Sequence, residues 1–324
     1  MQVLKAEFEA RWREHVAGHA FWTGWLELDP EMAGAVRECL LAGGKRLRPL
    51  LFAGACRMLG VEGLEKLMPV ALALELAHNF ILIHDDLIDD SKTRRGRSSL
   101  PESLAGVLEG TEAGGFRGED VALVAGDVLY SLALESLTRT EAPLELVLEA
   151  TRAFMRAALD TSHGTLLEMK AARMPLGELE LAEIERMYAL KTGAYSFELP
   201  LRLAELFAGS GVALPSARFG RHAGVAFQLK NDREGLLAWL EDGPVPDDLR
   251  DRRPIWAVVQ AWQRADGEGR RLLEEQPGVG LREYLRGNGV IAAMDAAIRE
   301  QAGLALECLP GSSLREFVAE SLAV

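Results

Sequence analysis

ELAHNFILIHDDLIDDSKTRR, residues Glu75 to Arg95, begins as an apolar helical run, closes on a cluster of aspartates and ends in two adjacent arginines. Asp85, Asp86 and Asp89 stand at i, i+1 and i+4, which puts Asp85 and Asp89 on one helix face, one turn apart. Ile81, Leu82 and Ile83 lead into them, so the spacing predicts a largely buried helix. Carboxylates at the mouth of an apolar core repel one another and are costly to desolvate unless cations neutralise them. Oxygen-only ligands at this density suit magnesium, which takes carboxylates together with phosphates and water. Arg94 and Arg95 bring positive charge to the same place. Aspartates for a metal beside arginines for phosphate point to a diphosphate site. The competing reading is a solvated acidic helix end with surface ion pairs.

The surrounding composition is ordinary for a globular protein: 324 residues, 48% hydrophobic and 26% charged. No Pro/Gly/Ser linker or low-complexity segment interrupts it, so one helical domain over residues 1–324 is expected. A net charge of -13 argues against nucleic-acid binding. An anionic substrate would need magnesium and locally placed lysines and arginines. Cys39, Cys56 and Cys308 are too far apart for a metal motif and odd in number, which fits a reducing cytoplasm. The opening MQVLKAEFEARWREHV carries acidic residues and no apolar leader core. No uncharged apolar run reaches about 18 residues, so no membrane span is expected.

Taken in order, residues 3–26 predict one amphipathic helix, with Phe8, Trp12 and Val16 on a common face. Asp29-Pro30 marks a turn and a helix start. Met32 to Leu41 runs into Gly43-Gly44, and Pro49 sits where a helix over 50–59 can begin. Lys45 and Arg48 then flank a glycine turn near a helix N-terminus, a good anion site, or else a basic loop that caps the preceding helix. A helix over 65–89 carries the aspartates. Residues 96–118 read as irregular, and 121–138 as a central apolar helix in which Asp127 is hydrogen-bonded or orients another group. Helices follow over 144–168, 181–207 and 218–240. Lys191 lies between Leu190 and Thr192-Gly193, where it either snorkels or meets a phosphate. Phe227-Gln228 and Asn231-Asp232 lie on the third of these helices. Residues 243–254 form a charged loop, and helices with a break near 277–280 complete the chain. No alternating β-branched runs bounded by hairpin turns occur, so the fold class predicted is all-α.

These residues together resemble the trans-isoprenyl diphosphate synthases, the polyprenyl synthetase family, over most of the chain from Gly43 to about Trp256. GGKRLRP at 43–49, His78, DDLID at 85–89, Arg94-Arg95-Gly96, LVAGD at 123–127, Lys191-Thr192 and FQLKND at 227–232 follow the family's order. The resemblance implies an all-helical bundle around a deep cavity, a homodimer, and magnesium-dependent prenyl transfer in isoprenoid biosynthesis. In that chemistry, three magnesium ions between two carboxylate clusters hold an allylic diphosphate, which leaves to form an allylic cation. Isopentenyl diphosphate attacks the cation, and the departing diphosphate takes the proton. Carried over residue by residue, Gly44, Lys45, Arg48, His78 and Arg95 would bind isopentenyl diphosphate. Asp85, Asp86 and Asp89 would bind magnesium, with Asn231 and Asp232 as the second group. Arg94, Lys191, Thr192, Gln228 and Arg253 would contact the allylic diphosphate or orient its partners.

The second aspartate-rich region departs from the family's DDxxD: it reads Asn231-Asp232-Arg233-Glu234-Gly235. An asparagine oxygen can still coordinate magnesium but brings no charge, so the third ion depends on Asn231. Gly164-Thr165 stands for a usual glycine-glutamine, and Arg252-Arg253-Pro254-Ile255 for a glycine-lysine followed by threonine. These departures all touch the allylic half. They leave open a weakly catalytic or regulatory subunit that works with an active partner, and a terpene cyclase on the same fold. The intact isopentenyl set argues for chain elongation. Phe80 and Ile81 precede Asp85 by five and four residues, about 6–8 Å deeper along a helix axis. By the resemblance, an aromatic there goes with short products, so a farnesyl or geranylgeranyl product is expected, with geranylgeranyl favoured. The plain alternative makes Phe80 a core residue.

Overall fold

The computed structural model describes residues 1–94, 96–110, 114–209, 213–275 and 277–323. Their contacts divide the chain into two compact units, Met1–Thr151 and Arg152–Val324. The class is all-α, as the sequence predicts.

In the first unit, helices α1 (Gln2–Gly18), α2 (Ala20–Leu28), α3 (Pro30–Leu41) and α4 (Leu47–Met58) precede α5 (Met68–Ile88), against which α1 and α4 pack. Every residue of α5 from Val70 to Asn79 is buried. A helix apolar on all sides has no solvent face to offer and must sit centrally. After it come a short antiparallel hairpin, β1 (Thr93–Arg94) and β2 (Arg97–Ser98), then α6 (Leu100–Leu108) and α7 (Gly118–Thr138). α7 packs along α5. Gly126 permits this packing, and Gly118 permits that of α7 on α6. A Cβ on Gly126 would lie 2.4 Å from His84 Nε2, and one on Gly118 would lie 2.2 Å from the Pro101 carbonyl oxygen.

One buried charge cluster ties the helices of this unit together. Arg46, at the N-terminus of α4, adopts a left-handed conformation (φ 52°) and is 4% exposed. It donates to Glu75 on α5 at 2.6 Å and to Glu9 on α1 at 2.8 Å. Its guanidinium also lies 5.4 Å from the Trp12 ring centre. Trp12 in turn donates from Nε1 to the Leu40 carbonyl at 2.9 Å, joining α1 to α3.

Several elements differ from the sequence expectation. The single helix over 3–26 is two helices, broken at His19, which is extended (φ -67°, ψ 134°). The His19 ring accepts from the Phe21 N–H and caps α2, so the break satisfies a donor that a continuous helix would bond internally. The stretch 96–118, expected to be irregular, holds β2 and the helix α6, and β1 and β2 are the only strands among the described residues. Asp127 is exposed, and its carboxylate lies 3.8 Å from His84 Nε2.

The second unit is built on α11 (Ser216–Leu240), which buries Phe219, Ala223, Val225, Ala226, Leu229, Leu236 and Trp239. The long α8 (Leu144–Ala171) leads into this unit, and α9 (Leu181–Tyr188) follows it. Residues Ala189–Glu198 then form a π-helical segment, before α10 (Leu199–Ala208). The expected continuous helix over 181–207 is therefore rewound in its middle. The Leu199 N–H bonds to the Ala194 carbonyl, five residues back, and Pro200 has no N–H to offer. The π segment also lies backbone to backbone on α11: a Cβ on Gly193 would sit 2.5 Å from the Gly220 oxygen. A short α12 (Asp247–Arg250), then α13 (Trp256–Arg264), α14 (Gly267–Glu274), α15 (Val279–Gly287), α16 (Val290–Glu307) and α17 (Ser313–Leu322) complete the unit.

Two helices, over Leu64–Ile88 and Gly118–Thr138, are long and apolar enough to cross a membrane by length and composition alone. The first is mostly buried inside the protein, where its apolar side chains form core.

Arg46→Ala leaves Glu75 buried and without its cation. Breaking a buried pair from one side costs about 3–5 kcal/mol. Equilibrium denaturation should show that loss in the Met1–Thr151 unit, whereas a surface pair such as Arg11–Glu14 should yield under ~1 kcal/mol on the same test.

Candidate active site

The first unit presents its aspartates at the C-terminal end of α5. Asp89 caps the helix in a right-handed conformation, and its N–H bonds to the Asp85 carbonyl at 2.8 Å. The i, i+4 spacing read from the sequence is therefore kept. Asp85 and Asp89 are half-buried, while Asp86 is only 3% exposed. The hairpin carries Arg94 back to the helix end, where its Nε donates to Asp86 Oδ1 at 2.6 Å. Burial pushes the Asp86 carboxyl above its ordinary value; the Arg94 hydrogen bond and charge oppose this, and Asp89 adds to it.

The basic stretch divides by role. Arg46 is taken up by Glu9 and Glu75, so it belongs to the scaffold. Lys45 is exposed beside Gly44, and Arg48 is 6% exposed in the first turn of α4. His78 is buried on α5. Arg95 lies outside the described residues. A cavity of about 930 Å³ in this unit is lined by Gly43, Asn79, Leu82, Ile83, Asp86 and Arg94 among others. Phe80 is half-buried, with its ring centre 4.5 Å from that of His84 and 5.1 Å from that of Tyr130 on α7. Ile81 is half-buried beside it.

Magnesium can be tested against these donors. Asp85, Asp86 and Asp89 offer only oxygen, the chemistry that magnesium prefers. Among the described residues, no three His, Cys, Asp or Glu side chains converge closely enough to enclose an ion. A magnesium ion here would complete its shell with phosphate oxygens and water, which is its usual habit. The donor set fits on that basis.

The second unit brings together most of the residues expected for the allylic half. Lys191 on the π segment bonds Glu168 of α8 at 2.6 Å. The helices touch here because Gly164 has no side chain: its Cβ would lie 2.3 Å from the Lys191 nitrogen. Thr192 donates to Gln228 at 3.2 Å, and Gln228 donates to Asp232 Oδ1 at 3.0 Å. The other Asp232 oxygen accepts from the Tyr188 hydroxyl, which itself accepts from the Trp256 N–H at 3.0 Å. Asp232 is 8% exposed. Burial pushes its carboxyl up to about 7, helped by the Asp248 charge and opposed by the bonds from Tyr188 and Gln228.

Asn231 and Glu234 are exposed, on another side of α11 from Asp232. At Gly235, the nearest atoms to a would-be Cβ are those of Pro246, at 3.9 Å. Arg253 lies 3.5 Å from Asp251 and 3.9 Å from Asp248. The sequence reading missed Tyr188, Asp248 and the structural role of Arg46. Tyr188 left a signal: a buried tyrosine hydroxyl needs a polar partner, and this one follows the apolar Ile184 and Met187.

The polyprenyl synthetase family profile matches residues 29–280. The chain belongs to this family. Enzymes of the family are transferases of prenyl groups, and they generally depend on magnesium. The geranylfarnesyl diphosphate synthase of Aeropyrum pernix is 31% identical over 256 residues, 76% of this chain and 74% of that protein. The geranylgeranyl pyrophosphate synthase of Geoglobus acetivorans is 31% identical over 265 residues, 77% of this chain and 76% of that one. Among solved structures, the geranylgeranyl pyrophosphate synthase of Corynebacterium glutamicum, complexed with isoprenyl diphosphate and magnesium, superposes with a TM-score of 0.80. It is 22% identical, with 98% of each chain covered, so the likeness is one of fold.

Gly164→Ala would force the Lys191 backbone away from α8. It should cost about 1–3 kcal/mol in denaturation, the usual range for overpacking, and weaken binding of inorganic pyrophosphate in calorimetry. Unchanged stability and affinity would mean that the contact yields freely.

Proposed function

We propose that the chain condenses isopentenyl diphosphate with an allylic diphosphate to an all-trans prenyl diphosphate of fifteen to twenty carbons, with geranylgeranyl diphosphate favoured. The observation that carries this is the buried Asp86 held by Arg94 at the end of α5, with Asp85 and Asp89 on the same turn. Residues 1–324 serve this one activity as a single synthase domain.

Lys45, Arg48, His78 and Arg95 take the isopentenyl diphosphate, with the backbone at Gly44. Asp85, Asp86 and Asp89 hold magnesium, and Asn231 offers a neutral oxygen to a third ion. Asp232 shares that duty only by loosening its bonds to Tyr188 or Gln228. Bound magnesium neutralises charge on the departing diphosphate. Arg94 holds Asp86 by hydrogen bond and charge, and would also donate to the diphosphate. Lys191, Thr192, Gln228 and Arg253 contact the allylic diphosphate or orient its partners, and preorganised donors of this kind stabilise leaving-group charge. The departing diphosphate takes the proton, so no protein base is required.

Phe80 limits the product. Its ring is braced by His84 and Tyr130, which gives a growing tail a firm wall, and Ile81 supplies the narrower neighbouring surface. The chain works in the cytoplasm as a homodimer, and its surface fits such an assembly. Leu148, Met155, Leu159 and Leu166 are exposed along one stripe of α8, and Leu123 and Val124 are exposed on α7. Apolar stripes of this kind are covered in assemblies. The two long apolar helices act as core helices and do not span a membrane.

A second reading keeps weight because of Asn231 and Gly235: a subunit that needs an active partner. Incubating the purified chain with magnesium, isopentenyl diphosphate and five-, ten- or fifteen-carbon allylic diphosphates, with products identified by mass, separates the readings. Elongation by the chain alone supports the synthase, and substrate binding without turnover supports the subunit. Hydrocarbon formed without isopentenyl diphosphate would indicate a cyclase. Asp85→Ala should lower turnover by about 10²–10³-fold or more, while Asn231→Asp should raise it if the third metal site limits the rate. Phe80→Ala should shift products by at least one five-carbon unit; an unchanged distribution would remove Phe80 as the wall.

A further inference from the structure

Tyr188 is fully enclosed and performs two tasks with one hydroxyl. It donates to Asp232 Oδ2 and accepts from the Trp256 N–H at 3.0 Å. That N–H is the first of α13, one of the donors a helix leaves without an internal partner. Trp256 is held from its ring as well, through Nε1 to Glu185 at 3.2 Å. The residues on either side of this hydroxyl are those assigned to the allylic diphosphate. Asp232 receives Gln228 on its other oxygen, and Gln228 receives Thr192, next to Lys191. On the Trp256 side, the chain runs back through Ile255 and Pro254 to Arg253.

We infer that Tyr188 is the positioning residue of the allylic-diphosphate half, joining the Thr192–Gln228–Asp232 chain to the α13 N-terminus so that both present their side chains to one diphosphate. The inference rests on the proposed function for the identity of that ligand. Its logic comes from the departures in the second aspartate-rich region. With Asn231 neutral and Gly235 bare, Asp232 is the remaining carboxylate of that region's aspartate positions, and both its oxygens are already engaged within the protein. It therefore orients Gln228, and Tyr188 decides where Asp232 stands. Phenylalanine fits the same space and deletes only the bridging oxygen. The change leaves an Asp232 oxygen and the Trp256 N–H short of a partner in a dry place, where such losses are felt fully.

The test is Tyr188→Phe in the full chain, with KM measured separately for the two substrates. The KM for the allylic diphosphate should rise about 5- to 30-fold, the equivalent of one or two kcal/mol. The KM for isopentenyl diphosphate should stay within about twofold. Combining Tyr188→Phe with Thr192→Ala should add little to Thr192→Ala alone, because residues in one hydrogen-bond chain are not additive. Equal rises in both KM values with a lower melting temperature would reduce Tyr188 to a structural role and overturn the inference. So would an unchanged allylic KM, or full additivity with Thr192→Ala. Calorimetry with inorganic pyrophosphate and magnesium reads the same site without turnover. If the wild-type chain elongates nothing, the proposed function fails. The inference then stands or falls on whether Tyr188→Phe weakens pyrophosphate binding 5- to 30-fold, as expected for about one or two kcal/mol.

Discussion

Charge buried on a helix that has no solvent face is the constraint on which this structure turns. α5 is enclosed over most of its length, yet it carries Glu75 and Asp86 inside. A buried carboxylate is costly to desolvate unless a cation is brought to it. Arg46 is delivered to Glu75 by a left-handed residue conformation at the start of α4, and Arg94 to Asp86 by a hairpin. The fold around α5 is in this sense arranged by where its two arginines must come from. The two pairs then differ in use. Arg46 is closed in by Glu9, Glu75 and Trp12, whereas Arg94 sits on the cavity wall.

The second unit solves a different problem, that of bringing polar side chains of three helices to one place. Glycines do this work by removing side chains where backbones meet. Gly164 lets α8 touch the π segment, and Gly193, Gly220 and Gly224 let that segment lie on α11. π-helical turns are rare in proteins and are found mostly at functional sites. Here the rewinding covers Lys191 and Thr192, and it coincides with their engagement of Glu168 and Gln228. Local backbone shape and site geometry are thus one feature.

The asymmetry of the chain follows from these two arrangements. The GGKRLRP and DDLID motifs lie on or beside α4 and α5. The second aspartate-rich stretch lies on α11, where the DDxxD pattern is eroded at 231 and 235. The erosion does not leave a hole. Pro246 stands over Gly235, and Asp232 is locked between Gln228 and Tyr188. Both oxygens of Asp232 are thus engaged within the protein.

The all-α class, the helix that carries the aspartates, the i, i+4 spacing of Asp85 and Asp89 and the family itself are legible in the residues. Each depends on periodicity or on short motifs, which are local properties of the chain. Boundaries were less legible. The break at His19 and the rewinding at 189–198 depend on a cap and on a helix crossing, and neither leaves a periodic trace. GGKRLRP shows two arginines of equal rank, and nothing in the string tells that Arg46 belongs to the scaffold. Its partners lie 37 residues before it in Glu9 and 29 residues after it in Glu75. Asn231 and Asp232 are neighbours in sequence, but a helix turns them about 100° apart, one to solvent and one to Tyr188. The sequence by itself determined which charges this chain carries and on which helices. The tertiary structure alone decided which of them are paired inside, because a buried charge is settled by partners that only folding brings near.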